Sequence, residues 1–278
     1  MAVVLGLAVA ATYGAADFFG GLGSKRATSW SVVLGAQCVG VGVVAFLVAI
    51  DGGSPRAADL AFGAAASCVG VVGVGLLYRG LARGPMVVVA PVTAIGSAIV
   101  PVGYGLATGE RPGAVALIGV AVSLAAVALI ARERRDSGSG TRIARSTLVA
   151  AVVAGSAFGA VFILLDQTRA ASGFWPLLSG RVASVALLTA VLAARGDPMV
   201  PRPAGAPLVV AAGVFDVAAN ALFLLAVREG LLSLVSVLGS LYPVATVLLA
   251  RVVLDERLLL HQLVGLGLAL GGVAMIAS

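Results

Sequence analysis

A few ionisable and strongly polar residues stand inside long apolar runs, and any chemistry would reside there. Asp216 and Asn220 are four positions apart, so on a helix they share one face. Such a pair is either a polar stripe along a substrate path, with Asp216 as a proton carrier, or a set of hydrogen bonds that holds neighbouring helices together. Asp166 and Arg181 flank a turn centred near Gly173 at equal distances along the chain. That spacing predicts a buried ion pair between antiparallel neighbours; the rival reading is that Arg181 offers its planar fork to an anionic substrate group. Asp17 and Gln37 stand in the same relation across an earlier turn, and Tyr13 lies one turn before Asp17. A charge at mid-span costs about 2.5–3.5 kcal/mol on insertion scales, so such residues are expected to line a cavity or meet a partner.

Other chemistries find little material. The chain has one histidine, His261, and two cysteines, Cys38 and Cys68, both in apolar stretches where they read as small core residues. No metal cluster, disulfide framework or cofactor site follows. The single lysine, Lys25, belongs to no Gly-x-x-x-x-Gly-Lys run, which argues against direct ATP coupling. No nucleophile–base or metal set points to an enzyme. Glu110 and Glu256 open apolar runs, where a carboxylate meets unpaired backbone N–H groups at a helix start; capping is the expected role.

The elements that must position these groups are set by composition. Of 278 residues, 60% are hydrophobic and 11% charged, against about 25% charged in soluble domains. So few charges do not cover a water-facing surface. The net charge of +6 does not indicate nucleic acid as a partner, because the basic residues lie between apolar runs. There they set orientation and touch anionic lipid. The expected partners are the lipid bilayer and a small-molecule substrate.

Crossing the hydrocarbon core takes about 20 apolar residues. Cutting at charge, Pro and Gly clusters predicts ten spans: 2–22, 30–50, 58–78, 85–107, 113–131, 147–167, 175–194, 207–227, 231–254 and 259–277. The first lacks a basic n-region, so it reads as a retained span and not a cleaved signal. Between the fifth and sixth lies the polar stretch 132–146, rich in Gly, Ser and Arg, a solvated linker. It separates 1–131 from 147–278. Odd-numbered loops carry thirteen Lys and Arg residues and even-numbered loops four. The positive-inside rule then puts the odd loops in the cytoplasm and both termini outside the cytoplasmic membrane.

The two halves repeat. A shift of 146 positions lays 76–132 on the last segment without a gap, with Gly84 on Gly230, Val89 on Val235, Glu110-Arg111 on Glu256-Arg257 and Gly119 on Gly265. A shift of 145 places Gly14 on Gly159, Asp17 on Phe162, Trp30 on Trp175 and Gly35 on Gly180. With five spans per half, the halves must sit in opposite orientations, the inverted-repeat design of secondary transporters. Pro91, Pro101 and Pro243 inside spans 4 and 9 are expected to bend their helices. Tyr104, Tyr242, Trp30 and Trp175 read as interface anchors, with Tyr242 also a candidate for the cavity. Gly267-xxx-Gly271 offers a small-residue face on the last span, for homodimerisation or for packing within the chain.

The segment 78–112, YRGLARGPMVVVAPVTAIGSAIVPVGYGLATGERP, and its partner 226–265 resemble the EamA domain of the drug/metabolite transporter superfamily. The shared pattern is a Gly-containing turn, a span with an internal Pro, a Gly-Glu-Arg-like turn, then a Gly-rich last span. The second copy departs from it in having Asp255-Glu256, and its Pro243 lies at another depth, so the helix breaks of the two halves are not expected to be equivalent. The resemblance implies an all-α membrane protein of ten helices, two inverted five-helix repeats around a central cavity. It also implies export or exchange of a small metabolite or drug-like molecule by alternating access. The competing expectation is a non-transporting scaffold or sensor with a solid core. Asp17, Asp216 and Arg181 together make a cavity of mixed sign, which suits a zwitterion such as an amino acid; Asp17 or Asp216 is the expected proton path.

Overall fold

The computed structural model describes residues 1–24, 26–83, 86–130, 145–200, 205–253 and 260–277. Lys25, the linker from 132 to 144, Arg202, Asp255, Glu256 and Arg257 lie outside the described residues, as do the side chains of Arg79, Arg83 and Pro91. Among the described residues the chain is helical: α1 (Ala2–Ser24), α2 (Ser29–Asp51), α3 (Ala57–Arg83), α4 (Met86–Ala107), α5 (Ala114–Ile130), α6 (Arg145–Asp166), α7 (Trp175–Arg195), α8 (Ala206–Glu229), α9 (Leu232–Gly239), α10 (Tyr242–Val253) and α11 (Leu260–Ala277). Seven are long and apolar enough to cross a membrane; 93–107, 114–129 and 232–246 are shorter apolar helices.

Local chemistry sets the ends. Thr28 caps α2 by accepting from the Ser31 N–H. Gly52 at the end of α2 and Gly196 at the end of α7 have φ near +70°, which costs glycine nothing. Pro176 and Pro207 sit in first turns, where no N–H is missed. The ninth predicted span is broken between α9 and α10. Pro243 cannot donate to Gly239, and the chain turns tightly with Leu241 N bonding Leu238 O and Val244 N bonding Leu241 O. Pro101, by contrast, lies within an unbroken α4.

Packing does not follow the hairpins. α1 and α2 barely touch; α1 lies along α8 and crosses α9 and α10. α6 lies along α3 and α4, α2 meets α7 and α8, α3 meets α7, and α5 pairs with α11. Exchanging the first five segments for the last five maps this set of pairs onto itself. Individual contacts repeat too. A Cβ on Gly14 would stand 2.5 Å from Ala245 Cβ and 2.9 Å from Thr246 N, and one on Gly159 would stand 2.7 Å from Val100 Cβ. Val100 and Thr246 are counterparts under the same 146-residue shift.

The even-numbered loops gather at one end. Ser54 N donates to Ala171 O at 2.7 Å, joining the loops after α2 and α6, and Gly230 lies against Ala2. At the other end Gly205 neighbours Arg26 and Gly23 neighbours Leu208. Large apolar side chains such as Phe46, Ile50, Ile118, Val182 and Leu270 are exposed around the bundle, as expected of surface that meets lipid. Cys38 is on that exposed face of α2, not in the core. Trp30, Trp175 and Tyr104 are partly buried and pack against core clusters. Gly267 and Gly271 have open space beside them among the described residues.

Candidate functional site

A cavity of about 170 Å³ opens where the two halves meet, bordered by α1, α2, α3, α4, α6, α7, α8 and α10. Its polar wall holds Tyr13, Asp17, Gln37, Arg181, Asp216, Asn220 and Tyr242. Seven of the eight predicted site residues therefore converge there. Asp166 does not. It is the last residue of α6, and its carboxylate accepts from Gln167 Nε2 at 3.1 Å.

The predicted Asp166–Arg181 pair is replaced by another. Arg181 Nη2 stands 2.5 Å from Asp216 Oδ2, and Nη1 donates to Gln37 Oε1. Equal sequence distance from Gly173 is not equal depth, because α6 stops at Asp166 whereas α7 begins at Trp175. Arg181 is six residues into its helix, roughly 9 Å deeper at 1.5 Å per residue. Gln37 likewise serves Arg181 and not Asp17, since α1 and α2 are splayed. Arg181 is 5% exposed, and its stem slides past Gly40, where a Cβ would come 3.1 Å from Arg181 Cδ and 3.2 Å from Nε. Gly40 is thus the space the guanidinium needs. Burying this charge is tolerable because a carboxylate and an amide oxygen meet it.

Asp216 is accordingly a paired carboxylate, though its side chain remains 34% exposed, toward the cavity. Asn220, one turn on, donates from Nδ2 to Asp216 O at 2.7 Å and accepts at Oδ1 from the Tyr13 hydroxyl at 3.1 Å. The chain Gln37–Arg181–Asp216–Asn220–Tyr13 links α2, α7, α8 and α1 across the interface between halves. Asp17 stands apart: it is exposed in the cavity wall, and no hydrogen bond or ion pair joins it to another described residue.

Much of the remaining lining is apolar. Phe158, Val161 and Phe162 come from α6 and Val71 and Val74 from α3. Phe162 stacks on Phe223 with centroids 4.3 Å apart, and its ring lies 6.2 Å from that of Tyr13. Phe162 had a sequence signal that went unused, as the repeat counterpart of Asp17. Ser97 had none, since a hydroxyl in an apolar helix is unremarkable; its Oγ lies 3.1 Å from the Oγ of Ser240 at the α9–α10 break.

Outside the cavity, Glu110 does cap a helix, but not its own. Oε1 accepts from Leu232 N at 2.6 Å and Oε2 from Ser233 N at 2.9 Å, at the start of α9. Nearby, Asp59 holds Arg169 of the α6–α7 connection. Asp59 falls in the first turn of the predicted span 58–78, and an acidic residue there was the available signal.

Residues 145–278 match the EamA-like transporter family. No curated protein matches the chain. A solved crystal structure, titled only as that of a protein, is similar over 99% of this chain and 95% of its own at 16% identity, with a TM-score of 0.81. At that identity the likeness speaks to fold alone, and it extends the common architecture over both halves.

Proposed function

From the premise that residues 145–278 form an EamA-like transporter domain, we propose that the chain is a secondary transporter. It moves a small molecule across the cytoplasmic membrane by alternating access between two inverted five-helix repeats, 1–131 and 147–278. The observation that carries this reading is the polar cavity at the meeting of the halves. A scaffold has no need of a wet chamber with exposed Asp17 and half-exposed Asp216 amid apolar helices, and burying such groups is expensive. The exchange-invariant helix pairing and the counterpart contacts of Gly14 and Gly159 support the repeat. Ten spans place both termini on one side, with the even-numbered loops; the charge bias makes that side the outside.

Energy comes from a gradient or from exchange. Of the two candidate proton carriers, Asp17 is favoured, because Asp216 is engaged in an ion pair with Arg181 whereas no described residue pairs with Asp17. Transport by Asp17→Asn with the wild-type pH dependence would remove that coupling.

Alternating access is testable without knowing the substrate. In a Cys38→Ser, Cys68→Ser background, Val74→Cys and Val161→Cys place one thiol from each half in the cavity wall. A membrane-impermeant maleimide should label both from either side of oriented vesicles. Labelling from one side alone, under all conditions, defeats the transporter reading in favour of a static scaffold.

A further inference from the structure

The mixed-sign cavity expected from the sequence changes character once Arg181 is placed. Both Nη groups are committed, to Asp216 and to Gln37, the stem is lodged against Gly40, and the residue is 5% exposed. Little of its fork is left for a ligand, so an anionic group meets only a buried and already paired cation there. Two carboxylates and one guanidinium share this wall, and Asp17 is the acceptor that no described residue engages. The Tyr13 hydroxyl gives its hydrogen to Asn220, which leaves its oxygen as a further acceptor. Phe158 and Phe162 line the same cavity.

Resting on the transporter reading, we propose that this cavity takes a small organic monocation, a protonated amine whose ammonium sits at Asp17 and whose apolar body lies against Phe158 and Phe162. An ammonium brings three donors to a wall of acceptors, and aromatic faces attract it further. A cavity of about 170 Å³ has room for a single small amine. A carboxylate on the ligand would face Asp17 and Asp216 with no cation free to compensate, so zwitterions are disfavoured along with anions.

Three probes share a phenylethyl unit and differ in charge: 2-phenylethylammonium, phenylalanine and 3-phenylpropionate. Binding is measured on the purified full chain in nanodiscs, by thermal shift and calorimetry, against Asp17→Asn and Asp17→Glu. We expect 2-phenylethylammonium to bind at least tenfold more tightly than either other probe. Asp17→Asn should lose at least tenfold in that affinity and Asp17→Glu should retain most of it, which separates lost charge from lost folding. Equal or tighter binding of 3-phenylpropionate or phenylalanine overturns the proposal, as does no binding of the amine or an amine affinity indifferent to Asp17→Asn. The transporter reading stands or falls separately: two-sided labelling of Val74→Cys with no amine binding sinks only the cation, and amine binding with one-sided labelling sinks only the transport.

Discussion

Asp59, in the first turn of α3, holds Arg169 of the α6–α7 connection, 110 residues away, with every acceptor it has. Its Oδ1 accepts the Arg169 backbone N–H at 3.0 Å, and its Oδ2 accepts Nε at 3.1 Å and Nη2 at 2.7 Å. Oδ2 also accepts Arg56 N–H at 2.8 Å, at the start of Asp59's own helix. Arg169 reaches Ser54 O as well, and Arg228 ties the carbonyls of Arg169 and Gly173. The even-loop end of the bundle is thus fastened across the two halves.

Loosening that fastening should open this end. Asp59→Asn keeps the shape but gives up the charge that holds Arg169, whose guanidinium is a third exposed and returns readily to water. The expected cost is modest, about 1–3 kcal/mol for hydrogen bonds to a buried charged group. The expected functional sign is faster maleimide labelling of Val161→Cys from the even-loop side. Unchanged labelling rates from both sides would show the fastening to be structural only.

Arg181 and Asp216 make a second prediction about stability. Removing one partner of a buried pair strands the other, at about 3–5 kcal/mol, whereas replacing both with apolar residues is close to neutral. Asp216 is partly open to the cavity, so Arg181→Met should fall at the low end, about 3 kcal/mol. Arg181→Met with Asp216→Leu should recover much of the loss in thermal denaturation in nanodiscs. A double variant as unstable as the sum of the two singles would contradict a direct pair.

Much of this arrangement was legible in the chain and part was not, for physical reasons. Apolar runs mark helices because every backbone group in lipid must be satisfied within its own segment, so the described helices agree with the expected spans to within a few residues, the ninth excepted. Polar residues within those runs marked the cavity, because lipid excludes them. Which of them pair was not legible. The hairpin rule that joined Asp166 to Arg181 and Asp17 to Gln37 assumes that consecutive helices pack. Here α1 packs on α8 and α6 on α3 and α4, so Arg181 finds Gln37 144 residues away and Glu110 finds Leu232 122 residues away, and the carboxylate that meets Arg181 is Asp216 of α8 and not Asp166 of α6. No local pattern encodes such pairings; only the repeat does, by requiring that any contact between halves occur in two related copies.

Glu110 offers a test of one such contact. Its two oxygens cap the first two N–H groups of α9, the short helix that precedes the break at Ser240 and carries the Ser97–Ser240 contact beside the cavity. Glu110→Ala should cost about 1–2 kcal/mol, the upper range of a lost N-cap. Glu110→Gln, which keeps one acceptor, should cost less than half of that in the same thermal assay. Equal losses from both would mean that charge, not capping geometry, is what α9 requires.

The repeat itself is tested by substituting counterparts. Gly14 admits α10 against α1, and Gly159 admits α4 against α6. A methyl at Gly14 would meet Ala245 Cβ at 2.5 Å and Tyr242 O at 2.7 Å, and a methyl at Gly159 would meet Val100 Cβ at 2.7 Å. Helix backbones cannot part locally without disturbing the cavity wall, because Tyr242 and Phe158 lie beside these crossings. Gly14→Ala and Gly159→Ala should each lower the melting point and weaken amine binding, and to a similar degree. Gly267→Ala, which meets open space, should change neither. If Gly159→Ala behaves like Gly267→Ala while Gly14→Ala unfolds the chain, the two crossings are not counterparts, and the case for an inverted pair of repeats loses its best structural support.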